Sequence, residues 1–180
     1  DVGGLAVAYR VDLFKKAGLP TQRDEVSALW PTWEKFITVG QQFQRKLPQG
    51  SFMDDTGTIF AAVLNQGSEK YYDATTHQPI YRTNALVQKA FNVAAKAGCT
   101  FTKNNKCAGS IGTKINQFSP DWGAAMNAGA FATVLAPAWM LDYIKQQAPK
   151  TSGKWDIAAV PGGGGNLGGS MLTIPKKAAN

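Results

Sequence analysis

Among the five tryptophans of this 180-residue chain, Trp139 is the one placed to meet a ligand. It follows Ala136-Pro137-Ala138, directly after a strand-like run and at the start of a helical one. Ligands of open α/β sheets gather outside the carboxyl ends of strands. Free helix N–H groups at such a point can also meet ligand oxygens. A flat indole face there suits the apolar face of a pyranose ring, with ordinary core packing as the competing reading. Trp122 lies in the first turn after Ser119-Pro120-Asp121, compatible with a cleft wall or with the core. Phe60, Asn65 and Gln66 sit where an apolar segment meets a turn; ligand contact is the minority reading for each. Trp33 belongs to a helical stripe and reads as core.

Other chemistries find little support. The run Pro161 to Ser170 holds six glycines and invites a phosphate-loop reading. A phosphate loop needs Lys then Ser or Thr opening a helix, and a dinucleotide fingerprint needs a helix at once. Here Ser170 leads into Met171-Leu172-Thr173-Ile174, which reads as extended. The glycines therefore serve a structural turn or let backbone approach a ligand or a neighbouring lobe. There is no G-x-S-x-G and no H-E-x-x-H. Asp54 and Asp55 read as solvated loop charge, with a polar ligand contact as the minority alternative. The single histidine, His77, lies in a turn-like run, so no metal site assembles around it. Cys99 and Cys107 flank a polar loop, 100–106; a local disulfide, free thiols and, least, a metal site all stay open. The formal net charge of +7 is spread over short separated pairs, such as Lys15-Lys16 and Lys176-Lys177, without the continuous basic stripe that nucleic acid requires.

The elements that must position these residues alternate in type. Leu5 to Tyr9 reads as a strand, and Asp12 caps a short helix to Ala17 that Gly18 ends. A loop is expected over 22–31. Thr32 caps a helix from Trp33 to about Lys46, with Trp33, Phe36, Ile37, Gly40, Phe43 and Leu47 facing inward. A further helix is expected over 58–65, an irregular or hairpin segment from Tyr71 to Tyr81, and a helix from Asn84 to Ala97 with Leu86, Val87, Ala90, Phe91 and Ala94 on its apolar face. Ser119 caps the next helix, with Pro120 at its first position, and Gly129 breaks it. Strands are expected over 130–135, 155–160 and 170–174, with a tight junction at 136–138 and a helix from Trp139 to about Gln147. This interleaving predicts an α/β fold with helices packed on a mixed sheet. No apolar run reaches the ~18 residues of a membrane span. Both ends read as cuts in a longer chain.

In this order and spacing the chain resembles an extracellular solute-binding protein of the ATP-driven sugar transporters. The resemblance rests on Ala8-Tyr9-Arg10 with Asp12 to Leu19, on Pro31-Thr32-Trp33, on Met126 to Trp139, and on Lys154 to Gly162 with Gly168 to Lys176. It implies one lobe of a two-lobed periplasmic-binding-protein-like fold. Residues 1–180 would be most of the C-terminal lobe, with segments near 1–8 and 168–180 approaching the interlobe hinge and the N-terminal lobe missing. It implies that Trp139 stacks on a pyranose and that the backbone of Gly168 and Gly169 lines the cleft. At Ser119 the maltose-binding relative carries an aromatic, so the subsite there departs from that pattern, and Trp122 is the candidate to compensate. Phe60 and Asn65 complete the expected ligand contacts. The resemblance further implies a monomeric, non-catalytic receptor without cofactor or metal. It would be lipid-anchored at the cell surface or periplasmic, would bind no nucleic acid, and would deliver an oligosaccharide to an ABC permease. The competing classes are a glycan-processing enzyme and a structural or interaction lobe without a small ligand.

Overall fold

The computed structural model describes residues 3–99, 107, 109–170 and 172–177. A five-stranded mixed sheet forms its centre, in the order β3-β2-β4-β1-β5. Its strands are β1 (Leu5–Arg10), β2 (Ser51–Asp55), β3 (Gly112–Thr113), β4 (Phe131–Pro137) and β5 (Trp155–Ala159). β2 runs parallel to β3 and β4, while β1 is antiparallel to β4 and to β5. The pairing of Leu5 with Pro137 puts the start of β1 beside the carboxyl end of β4.

Among the described residues, seven α-helices cover this sheet: α1 (Val11–Lys16), α2 (Arg23–Ala28), α3 (Trp33–Lys46), α4 (Gly57–Leu64), α5 (Ala85–Gly98), α6 (Pro120–Ala128) and α7 (Met140–Gln147). Successive residues of a strand face opposite ways, so Val7 and Tyr9 enter one core and Ala8 the other. The larger core gathers Phe14, Trp30, Phe36, Phe43 and Phe52 with residues of α3, α4 and α5. Phe36 and Phe52 have ring centroids 5.0 Å apart. The smaller core holds Trp122, Met126, Val134, Met140 and Ile144. Every residue of β4, central in the sheet, is buried, which is why it reads as an unbroken apolar run.

Thr32 caps α3 as expected, accepting from the Lys35 N–H. Gly18, directly after the α1 C-cap Ala17, lies in the left-handed region at φ 70°. The Cys99–Cys107 disulfide is formed, with Cα atoms 5.3 Å apart; the loop between the cysteines lies outside the described residues. Tyr72 pairs with Pro79 in an isolated bridge, within the hairpin-like segment.

Several expectations are corrected. The 22–31 loop contains α2, whose Val26 is buried in the larger core. Residues 51–55 are a strand, and Asp54 is 0% exposed rather than solvated. On α5 the buried face runs through Ala90, Val93 and Ala97, a spacing that leaves Phe91 outside it and 65% exposed. Asp12 lies inside the first turn of α1, accepting from the Leu13 N–H and from Nε and Nη2 of the buried Arg10. Ser119 makes no side-chain cap bond; its hydroxyl donates to the Asn116 carbonyl. Ala136 and Pro137 belong to β4 instead of a junction. Among the described residues the expected last strand is not seen: Ser170 and residues 172–174 have no ladder partner, and Leu172 and Ile174 are exposed. Apolar alternation alone does not make a strand when no neighbour supplies the hydrogen bonds.

Candidate functional site

The parallel strands β2 and β4 deliver their carboxyl ends to the same edge of the sheet. Trp139 stands two residues past β4 and caps α7 in helical conformation. It is half-buried, and its indole N–H donates to the Leu167 carbonyl at 3.1 Å. Gly168 follows at φ 72°, and a Cβ there would lie 3.4 Å from the indole nitrogen. A side chain at that position would be strained by the backbone and pressed on the indole.

Trp139 does not stand alone. The Phe118 ring lies nearly parallel to it, with an interplanar angle of 16° and centroids 6.2 Å apart. Phe118 is 50% exposed and holds a φ of 66°. Bulky residues rarely occupy that region, and such outliers concentrate where function requires them. Below it, Trp122 packs on Phe118 at 5.4 Å and stacks on Tyr143 at 6.0 Å. Tyr143 in turn meets Phe118 at 5.4 Å.

Trp122 is 1% exposed. Its indole N–H donates to Oδ2 of Asp54 at 3.0 Å, so it supports the cluster from beneath rather than offering a face to solvent. The same Oδ2 accepts from the Gln117 amide at 2.8 Å. Oδ1 of Asp54 is buried without a hydrogen-bond partner among the described residues. Burial pushes this carboxyl from 3.8 up to about 7, against the lowering pull of Gln117, the Asp55 backbone and Trp122. The Asp55 charge adds to the rise.

A polar groove of about 510 Å³ is lined by Asn65, Lys70 and Asn166 together with Gly67, Gly168 and Gly169. Three expected site residues, Asn65, Gly168 and Gly169, therefore share one concavity, and Gly168 joins it to Trp139. The Asn65 carbonyl accepts from Lys70, and its amide donates to Ala61. Gln66 ties the groove to the glycine loop, donating to the carbonyls of Pro161 and Gly163 while accepting from the Trp33 indole. Phe60 lies elsewhere, half-buried against the larger core. Ser119 adjoins Phe118 and is half-buried.

Sequence reasoning missed Phe118, Tyr143 and Lys70, and it read Asp54 as solvated loop charge without seeing its burial. Phe118 had one legible signal, an aromatic directly ahead of the Ser119-Pro120 helix start. Asp54 had none, because its burial depends on β2 pairing with two strands distant in sequence. Among the described residues, no group of three His, Cys, Asp or Glu is placed to hold a metal.

The family model for bacterial extracellular solute-binding proteins matches residues 1–180. The chain is similar to the arabinooligosaccharide-binding protein of Bacillus subtilis (strain 168), with 22% identity over 193 residues, covering 98% of this chain and 39% of that protein. It is also similar to a solved structure described as an extracellular solute-binding protein family 1, at TM-score 0.85 and 34% identity, covering 99% of this chain and 44% of that one. The ABC transporter associated binding protein from B. animalis subsp. lactis Bl-04, solved in complex with beta-1,6-galactobiose, superposes at TM-score 0.70 with 22% identity, covering 92% and 40%. The chain thus spans about two fifths of the length of these relatives.

Proposed function

This chain belongs to the bacterial extracellular solute-binding proteins, and from that premise we propose that it binds an oligosaccharide without catalysis, as the C-terminal lobe of a receptor that delivers its ligand to an ABC permease. The observation that carries the reading is the near-parallel pair Phe118 and Trp139 beside a polar groove. Sugars present flat C–H faces edged by hydroxyls. Aromatic rings cover the faces, and a few placed polar groups fix the orientation. Lys70, Asn65 and Asn166 supply such groups at the groove wall. Two relatives are described by the sugars they bind, an arabino-oligosaccharide and beta-1,6-galactobiose, which supports an oligosaccharide as the ligand class.

The same premise supports residence outside the cytoplasmic membrane, periplasmic or at the cell surface. Among the described residues, no helix is long and apolar enough to cross a membrane. The whole receptor is titrated with arabino-oligosaccharides, beta-1,6-galactobiose and maltose while tryptophan fluorescence is followed. A saturable change with at least one sugar, and no new reducing ends in the incubated mixture, is the expected result. Absence of saturation across the panel rejects the sugar site, and release of shorter sugars rejects the non-catalytic role.

A further inference from the structure

Resting on that reading of the site, we propose that Asp54 is the positioning residue of the aromatic platform and couples ring geometry, and with it sugar affinity, to protonation of its own carboxyl. The chain of contacts is short. Oδ2 holds the Trp122 indole N–H, Trp122 packs under Phe118, and Phe118 lies alongside Trp139. Both N–H donors reach Oδ2, so the proton belongs on Oδ1. As the neutral acid, Asp54 carries no charge into its dry site, which costs less than burying the carboxylate even though the Oδ1 proton finds no acceptor among the described residues. As the carboxylate, it leaves Oδ1 charged and buried without a hydrogen bond among the described residues, helped only by the pull of the Asp55 backbone N–H on the carboxyl, a costly state that favours entry of water or displacement of a neighbour. The indole bonded to the same carboxyl is the neighbour whose shift reaches the ligand face.

The surroundings leave this titration to Asp54 itself. Asp55, adjacent in β2, is a like charge and opposes ionisation. Thr113, at the end of β3, donates its hydroxyl to the Asp54 carbonyl and is uncharged. Lys114 beyond β3 and Asp121 on α6 are exposed, and no ion pair joins either of them to Asp54 among the described residues. Burial places the midpoint near the range where extracellular pH varies, at about 7.

The test uses the whole receptor, with sugar affinity and side-chain NMR followed between pH of roughly 5.5 and 8.5. Affinity for the sugar that saturates is expected to fall about fivefold across the range, the lower end of ordinary coupling between sites. The Trp122 indole N–H and Phe118 ring signals should move with the same midpoint. Asp54→Asn keeps the shape and removes the titrating group, and should give a flat affinity profile across the range. Gln117→Leu removes a bond that favours the ionised form, and should move the midpoint upward even if Asp54→Asn fails to fold. A flat wild-type profile, a step that survives in Asp54→Asn, or an unmoved midpoint in Gln117→Leu overturns the proposal. If no sugar saturates at any pH, the sugar reading falls by itself. The ring signals of Phe118 and Trp139 then decide for Asp54, and rings that ignore its titration overturn it.

Discussion

Phe118 combines a half-exposed ring with a backbone conformation that costs a bulky residue about 1–3 kcal/mol. Replacing it with glycine relieves the backbone and deletes the ring. For Phe118→Gly we expect sugar binding to weaken by about 1–2 kcal/mol, as for a truncated aromatic anchor, with a thermal midpoint within a few degrees of wild type because the two stability effects oppose each other. A dissociation constant unchanged in calorimetry would remove Phe118 from the ligand face. Trp139→Ala is expected to weaken binding by roughly 1–3 kcal/mol. It also leaves the Leu167 carbonyl without its indole donor. Trp139→Phe keeps a smaller aromatic face and loses that bond, so it should retain more affinity than the alanine variant; equal losses would assign the effect to the loop instead of the ring.

At the scale of elements, α3 rests on β2 through Gly40. A Cβ there would come within 2.7 Å of the Phe52 ring and 3.1 Å of the Ile111 side chain. Gly40→Ala should cost about 1–3 kcal/mol by overpacking a filled core, read as a lower urea midpoint; an unchanged midpoint would mean that the helix rides further from the sheet. Helix α3 was legible in the sequence because its period, its Thr32 cap and its Pro48-Gln49-Gly50 stop agree. Trp139 was legible for a similar reason, standing where a strand ends and a helix begins. The residues beneath it were not. Strand β2 follows the Pro48-Gln49-Gly50 turn and ends in two acids, and only its pairing with β4 and β3 makes it a strand. Trp122 was weighed as a cleft wall because local pattern cannot tell a ring under a platform from a ring on one. Residues 170–174 show the reverse error: an extended run was read as a strand, and its described residues find no neighbour to complete a ladder.

For the whole molecule, the buried Asp54 carboxyl ties stability to pH. Its folded value, raised from 3.8 to about 7, means that the folded chain holds this proton more tightly than the unfolded one. Its contribution is therefore fully present below pH of about 4, is lost as pH rises toward about 7, and changes little beyond. With each unit worth about 1.4 kcal/mol, the effect is on the order of 4 kcal/mol. Urea unfolding of wild type should show this decline, and Asp54→Asn should lack it; parallel pH profiles for the two proteins would contradict the assignment. A different coupling runs through the glycine loop. The Leu5 N–H bonds the Gly165 carbonyl, and the Leu167 N–H bonds the Gly3 carbonyl. Two stretches far apart in sequence thus travel as one ribbon, and the Trp139 indole is fastened to it at Leu167. A shift of either stretch is passed to that indole through the Leu167 carbonyl, so the local emission of Trp139 is a readout of how the ribbon moves.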